Sequence, residues 1–348
     1  MIKSHLYQEI MQQPKVISTL INEYVKNEEI LIKIPENFSR LQIIASGSSY
    51  NAAKIVEYFF NTHTELDVKC DYSSEFLLRK NFNSNKKTFF VFISQSGETS
   101  DTIKALNIVK ERNFLTMAIT NQMNSTLWKN SDYQLFLHAG KEESIASTKA
   151  VTAQILCLYL LFLKYQKESE GINITMELKE LKKLSKQMSD FLAKIESINE
   201  IAERLTNFKN IVILGNRFYY KTAKEGALKI RETSYLSVSA YPFGEFLHGH
   251  VATLNEKTAV IALIDEENLQ TNIQILRKIK SDYNPTIVKI ASPNCKDKIN
   301  IDFTLQANGS LAQLFNVLLF LQVLALKIAI CLGKNIDNPI GLTKIVLE

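Results

Sequence analysis

Ser94-Gln95-Ser96-Gly97-Glu98-Thr99 directly follows the apolar run Phe89-Phe90-Val91-Phe92-Ile93. A wholly apolar pentad reads as a buried strand, and here it empties into a loop of hydroxyls around one glycine. A helix pattern opens near Thr102, with Ile103, Ala105, Leu106 and Val109. Strand, hydroxyl loop and helix start together form an anion cradle. N–H groups at a helix N-terminus carry partial positive charge, and serine and threonine hydroxyls add donors. The loop contains no lysine and nothing matches G-x-x-x-x-G-K-S/T, which excludes a nucleotide P-loop. The implied ligand is a small phosphorylated molecule.

Similar runs recur at 41–45, 115–120 and 133–137, and again at 210–214, 258–264, 286–291 and 301–305, with helix-like segments between them. They are continuously apolar rather than alternating, as parallel strands covered on both faces are. The expected fold class is α/β, with two open, doubly wound parallel sheets. The halves read as a degenerate repeat. Ile43-Ile44-Ala45-Ser46-Gly47-Ser48-Ser49 resembles Ile211-Val212-Ile213-Leu214-Gly215-Asn216-Arg217. In the second half the run 258–264 ends in Asp265-Glu266-Glu267, which repels phosphate, so one anion site is expected, in the first half. Between the halves, Leu178, Leu181, Leu184 and Met188 fall at helical spacing and predict an amphipathic linker helix. The expected division is a helical segment at 1–28, a phosphate-binding domain at 29–170, a linker helix at 171–200, a second domain at 201–335 and a tail at 336–348.

The composition is that of an ordinary globular protein, 46% hydrophobic and 22% charged over 348 residues, enough for two domains. A net charge of +5 is modest, and pairs such as Lys86-Lys87 and Lys182-Lys183 read as solvated surface, so no nucleic-acid partner is expected. The apolar stretches near 151–164 and 311–332 are interrupted by Gln154, Lys164, Gln322 and Lys327 and read as buried helices, so no membrane partner is expected. None of Cys70, Cys157, Cys295 and Cys331 forms a C-x-x-C pair, and the start lacks a signal-peptide core. Free thiols and a cytoplasmic location follow as expectations. Of five histidines only His248 and His250 are close together, without partners at zinc-site spacing, so no metal is expected.

Three further stretches carry chemistry. Ser46-Gly47-Ser48-Ser49-Tyr50 follows the first strand of the first half, and would share the carboxyl edge of that sheet with residues 94–99. Glu142-Glu143-Ser144-Ile145-Ala146-Ser147-Thr148-Lys149 precedes an apolar helix, where Ser147 or Thr148 also suits a plain N-cap. Glu225, Lys229 and Glu232 lie at i, i+4 and i+7 on one helix face, which also suits a solvated salt-bridge stripe. Residues 240–250, with two glycines, a proline and two histidines, read as a loop that positions side chains.

Ser94-Gln95-Ser96-Gly97-Glu98-Thr99, Ala146-Ser147-Thr148-Lys149, Glu225-Gly226-Ala227-Leu228-Lys229 and Gly244-Glu245-Phe246-Leu247-His248-Gly249 together resemble the sugar isomerase (SIS) domain family. They are most similar to the isomerase half of the glucosamine-6-phosphate synthases, and the resemblance runs from Glu9-Ile10-Met11-Gln12-Gln13-Pro14 to Leu342-Thr343-Lys344 and beyond. It implies two SIS domains, each a flavodoxin-like αβα sandwich. It implies that Ser49, Ser94, Gln95, Ser96 and Thr99 bind a sugar 6-phosphate and that Ile145, Ser147, Glu225 and Lys229 line the sugar site. By the same resemblance Glu232 is the base that moves a proton between C1 and C2. His248 opens the ring from a neighbouring subunit of a homodimer with shared sites, and Lys344 forms a Schiff base with the open-chain ketose. No cofactor is implied, since a carboxylate, an imidazole and an ammonium suffice for enediol chemistry. Two departures stand out. With the sequence starting at Met1, no glutaminase segment is expected, and with it no internal source of ammonia from glutamine; and the family's His-Gly-Pro reads His248-Gly249-His250. The second departure alters the pocket, adds an acid–base group, or is neutral. The leading expectation is an enzyme that releases ammonia or an amine from an amino-sugar or fructosamine 6-phosphate, a deaminase or deglycase. The alternatives are a simple aldose–ketose isomerase and a non-catalytic sugar-phosphate sensor.

Overall fold

The computed structural model describes residues 4–79, 87–305 and 309–344. Lys86, the first three residues and the tail end 345–348, which the sequence reading touched, lie outside the described residues. The chain divides into two compact units. The first comprises residues 12–142 and 147–185 with the tail from Thr343, and the second residues 4–11, 143–146 and 186–342.

Helix α1 (His5–Tyr24) leads into a small antiparallel hairpin of β1 (Val25–Lys26) and β2 (Glu29–Ile30). Then follow β3 (Arg40–Ala45), α2 (Gly47–His63), β4 (Asp67–Tyr72), α3 (Ser73–Leu77), β5 (Thr88–Ile93) and α4 (Ser100–Glu111). The first sheet closes with β6 (Thr116–Thr120), α5 (Thr126–Asn130) and β7 (Tyr133–Phe136), before the long helices α6 (Lys149–Ser169) and α7 (Thr175–Leu192). Its order is β4-β3-β5-β6-β7 and every pairing is parallel. Strands β5 and β6 are buried along their whole length, which is why their sequences are unbroken apolar runs or small threonine-capped ones.

The second unit runs through α8 (Asn199–Leu205), β8 (Asn210–Gly215), α9 (Arg217–Ser234), β9 (Ser237–Pro242) and α10 (Phe243–Phe246). It continues with β10 (Thr258–Ile264), α11 (Leu269–Tyr283), β11 (Thr286–Ala291), β12 (Phe303–Thr304) and α12 (Ser310–Cys331). Its sheet, β12-β11-β10-β8-β9, is again parallel throughout. Counted from its own first strand, each sheet has the order second, first, third, fourth, fifth. Both are therefore flavodoxin-like, with the topological switch between β3 and β5 in one and between β8 and β10 in the other.

The repeat is real, but its register differs from the sequence reading by two residues. Ser46 and Asn216 both stand extended before their helices, at φ −125° and −123°, and Gly47 and Arg217 both follow at φ +54°. Arg217, not Gly215, occupies the glycine position. Gly215 instead ends β8, where a Cβ would lie 2.9 Å from the Tyr220 nitrogen. Strands β4 and β9 escaped the sequence reading. Both are edge strands, and β4 alternates exposed and buried residues through Asp67, Lys69 and Tyr72. Residues 240–250 are accordingly not one loop but the end of β9, the short helix α10 and a 3-10 turn at His250–Thr253.

The apolar helices expected at 151–164 and 311–332 are α6 and α12, and α7 buries Leu178, Leu181, Leu184 and Met188. Helix α12 is long and apolar enough to cross a membrane by composition, yet 83% of its most apolar window is buried. It packs on α9 so closely that a Cβ on Gly226 would sit 2.7 Å from Leu321 Cβ and 2.5 Å from its Cδ1. Leu321 Cβ is fixed to its backbone, so a larger residue must separate the helices. Gly226→Val is expected to lower unfolding free energy in urea by about 2 kcal/mol, and by less when introduced into a Leu321→Ala chain, where Cγ and Cδ1 are gone. A loss indifferent to Leu321→Ala would contradict the packing.

Candidate functional site

In the first unit, parallel pairing of β3 with β5 brings the two serine-bearing turns to one carboxyl edge at the topological switch. Ser94 is almost fully buried, and its Oγ lies 2.8 Å from Thr99 Oγ1 and 3.4 Å from Ser96 Oγ. It also accepts from the Gly97 N–H at 3.1 Å, while Ser96 Oγ accepts from the Glu98 N–H at 3.2 Å. Three of the expected phosphate ligands thus share one hydroxyl cluster. Gly97 permits the turn: its φ is +67°, and a Cβ would fall on the Ser125 side chain. The loop is stitched to its neighbour by Asn121 N–H to the Gln95 carbonyl (3.0 Å) and Leu127 N–H to the Gly97 carbonyl (3.1 Å). The Glu98 carboxylate is taken up by the Thr126 N–H at 2.8 Å. Ser49, in the first turn of α2, accepts from Gln154 Nε2 of α6 at 3.0 Å.

A second cluster in the same unit surrounds a residue to which the sequence reading gave no role. Glu142 is buried, and its Oε1 accepts from the N–H groups of Thr148 (2.9 Å) and Ala150 (3.2 Å). Its Oε2 accepts from the Ser147 hydroxyl at 2.8 Å and pairs with Lys344 Nζ at 2.9 Å. Neither Ser147 nor Thr148 caps α6 through its side chain; Glu142 satisfies the free N–H groups instead, placing negative charge at the positive helix end. Burial pushes the Glu142 carboxyl up. The Lys344 ammonium and the hydrogen bonds from Lys344, Thr148 N–H and Ser147 more than offset this, holding it below the ordinary value of 4.5.

In the second unit, Glu225, Lys229 and Glu232 are not a solvated stripe. Glu225 and Lys229 are fully buried, and Lys229 Nζ lies 3.4 Å from Glu225 Oε1 and 2.6 Å from Glu232 Oε2. Two carboxylates share one ammonium, and only Glu232, 21% exposed at its side chain, remains open to solvent. His248 is exposed after α10, and its N–H closes a turn onto the Glu245 carbonyl at 3.0 Å. His250 stacks on Tyr241, ring centroids 4.1 Å apart. Ile145 is half-buried in the segment 143–146, whose Ser144 hydroxyl and backbone bind the buried Glu9 carboxylate of α1. At the switch of the second sheet, where the first bears hydroxyls, Asp265 accepts from the Asn268 N–H at 2.9 Å and Glu267 pairs with Arg217.

The SIS domain model matches residues 36–164 and 204–294, and the chain belongs to the SIS-domain family. Glutamine–fructose-6-phosphate aminotransferase (isomerizing) of Chlorobaculum tepidum is 32% identical over 98% of this chain and 58% of that protein. The Campylobacter jejuni enzyme of the same name is 31% identical over 97% and 57%. The chain therefore spans a little over half the length of these curated relatives. Among solved structures, the C-terminal domain of glucosamine-fructose-6-phosphate aminotransferase from Francisella tularensis superposes with a TM-score of 0.90, at 29% identity over 97% of this chain and 98% of that one. Glucosamine-6-phosphate deaminase of Thermotoga maritima shares the fold, at TM-score 0.80 and 22% identity.

The depressed Glu142 carboxyl ties its contribution to pH. A carboxyl whose folded value lies below its unfolded one stabilises the fold above the unfolded value and loses that contribution as pH falls through the folded one. Glu142→Gln is expected to cost about 2 kcal/mol in urea unfolding at neutral pH. The gap to the native chain should close as pH drops through and below 4.5. A gap of equal size at both ends of that range would contradict the ion pair's role.

Proposed function

We propose that the protein moves a proton between C1 and C2 of a hexose 6-phosphate bearing nitrogen, releasing ammonia or an amine. The observation that carries this reading is Glu232: an accessible carboxylate on a helix face, fixed by a buried ammonium, in a chain that also holds a hydroxyl cradle. A sensor of sugar phosphates needs the cradle alone. The relatives that align over nearly the whole chain are named for aminotransfer and isomerisation on fructose 6-phosphate, which supports nitrogen at C2.

In this reading the phosphoryl group accepts hydrogen bonds from Ser94, Ser96 and Thr99, with Ser49 and Gln95 beside them. Ile145 and Ser147 line the sugar site, as do Glu225 and Lys229. On a 2-amino aldose, Glu232 takes the C2 proton of the open chain and returns it to C1, converting the C2 amine into a C2 imine. On a fructosamine it takes a C1 proton and returns it to C2, converting the C1 amine into a C1 imine. Water then adds to the imine and the C–N bond breaks, giving the free amine with the ketose in the first case and the aldose in the second. Lys229 steadies the carboxylate in both states. Lys344, paired with Glu142 as an ammonium, must leave that pair and lose a proton before it attacks a carbonyl. His248, exposed on its own unit, acts on the ring oxygen in a second copy of the chain.

Incubation in heavy water with glucosamine 6-phosphate, fructose 6-phosphate and fructosamine 6-phosphates tests the reading. Solvent deuterium should enter at C1 or C2 with amine release, and Glu232→Gln should slow exchange by roughly 1000-fold while sugar-phosphate binding persists. Exchange without amine release would indicate a simple isomerase. Binding with no exchange, unaltered by Glu232→Gln, would indicate a sensor. Mixed Glu232→Gln and His248→Ala chains should regain activity once subunits exchange; no recovery despite exchange would contradict the shared site.

A further inference from the structure

Gln154 interrupts the apolar run of α6, and the fold buries it to 1% exposure in a stretch, residues 150–163, that is buried throughout. A carboxamide carries two N–H donors and an oxygen with two lone pairs. In the first unit Gln154 Nε2 donates to Ser49 Oγ at 3.0 Å, while its Oε1 has no hydrogen-bond partner among the described residues. A buried amide so sparsely paired carries a desolvation cost that a methionine of similar length does not. Packing α6 against α2 therefore gives no reason for an amide here.

Its effect falls on the hydroxyl beside it. A serine has one proton to donate. With an N–H of Gln154 aimed at the Ser49 oxygen, that proton cannot point back at α6. No described residue accepts it, and Ser49 is half-buried in the first turn of α2, at the carboxyl edge of the sheet. Ser94, Ser96 and Thr99 hydrogen-bond among themselves, whereas the Ser49 proton faces outward unclaimed. An ionised phosphoryl group offers only acceptor oxygens, so a hydroxyl held in this sense suits it.

We propose that Gln154 is a positioning residue for phosphate recognition: by donating to Ser49 Oγ it turns the Ser49 hydroxyl proton out toward the phosphoryl group. This rests on the reading above in which Ser49 contacts that group. Gln154 itself, closed off from solvent, touches no ligand and acts only through the serine.

Calorimetric titration of the full chain with fructose 6-phosphate, beside urea unfolding, tests it. Ser49→Ala should weaken binding about tenfold, the loss of one hydrogen bond to a charged group. Gln154→Met should weaken it about threefold without lowering the unfolding free energy. Gln154→Glu, whose carboxylate accepts the Ser49 proton, should weaken it by at least about tenfold. In a Ser49→Ala chain, Gln154→Met should change nothing further. Equal weakening in both backgrounds, the mark of a side chain that only packs α6, overturns the proposal. It is also overturned, with the phosphate reading left standing, if Ser49→Ala weakens binding and Gln154→Met does not. If the native chain binds fructose 6-phosphate no more tightly than fructose, that reading falls and the proposal with it. Should Gln154→Met not fold, the native chain decides. Its Gln154 side-chain amide resonances should shift with fructose 6-phosphate but not with fructose, and should stay still in Ser49→Ala; no shift in the native chain overturns the proposal.

Discussion

Parallel strands covered on both faces leave few places for a polar group, and that constraint orders each unit of this molecule. Strands β5 and β10 are buried from end to end, so the hydroxyl and acidic turns of the two sheets lie where strands stop, while Glu225, Lys229 and Glu232 sit on helix α9. At the switch between β3 and β5 the turns carry serine and threonine; at the switch between β8 and β10 they carry Asp265, Glu266 and Glu267. One backbone plan, used twice, thus yields two edges of opposite electrostatic character. Even the strained first residue of the following helix is retained, with Arg217 bearing the left-handed conformation that Gly47 adopts freely.

Inside the units, several buried charges are matched by close partners. Glu142 meets two backbone N–H groups, a hydroxyl and an ammonium, and Glu9 meets the backbone and hydroxyl of Ser144. Lys229 meets Glu225 and Glu232. Removing one member of such a set strands the others out of water, so these groups fix geometry more than they add stability. The consequence for chemistry is order: Ser147 and Lys344 are held by one carboxylate, and Glu232 is held by one lysine. These are the side chains that the resemblance to SIS proteins marks.

Much of this was legible in the sequence because the decisive signals were strong and local. Apolar runs marked the buried strands, the hydroxyl-rich turn after β5 stood out, and the i, i+4, i+7 spacing placed Glu225, Lys229 and Glu232 together. What escaped depended on pairing that a linear reading does not contain. Strands β4 and β9 lie at sheet edges, where one side needs no apolar cover, so neither shows the unbroken apolar run that marks the others. The burial that turns a surface-like charge stripe into an enclosed triad comes from packing by other elements, as the close approach of α12 to α9 at Gly226 illustrates. Glu142 was hidden because its partners are backbone groups and a lysine far along the chain.

The most direct test of the central claim, that the hydroxyl turn grips a phosphoryl group, is a titration of isotope-labelled protein with fructose 6-phosphate, followed through its backbone amide resonances. The expected result is that the amides of Ser94, Ser96, Gly97 and Thr99 shift with fructose 6-phosphate and stay still with fructose. Equal shifts with both sugars, or a response confined to residues away from this turn, would contradict it.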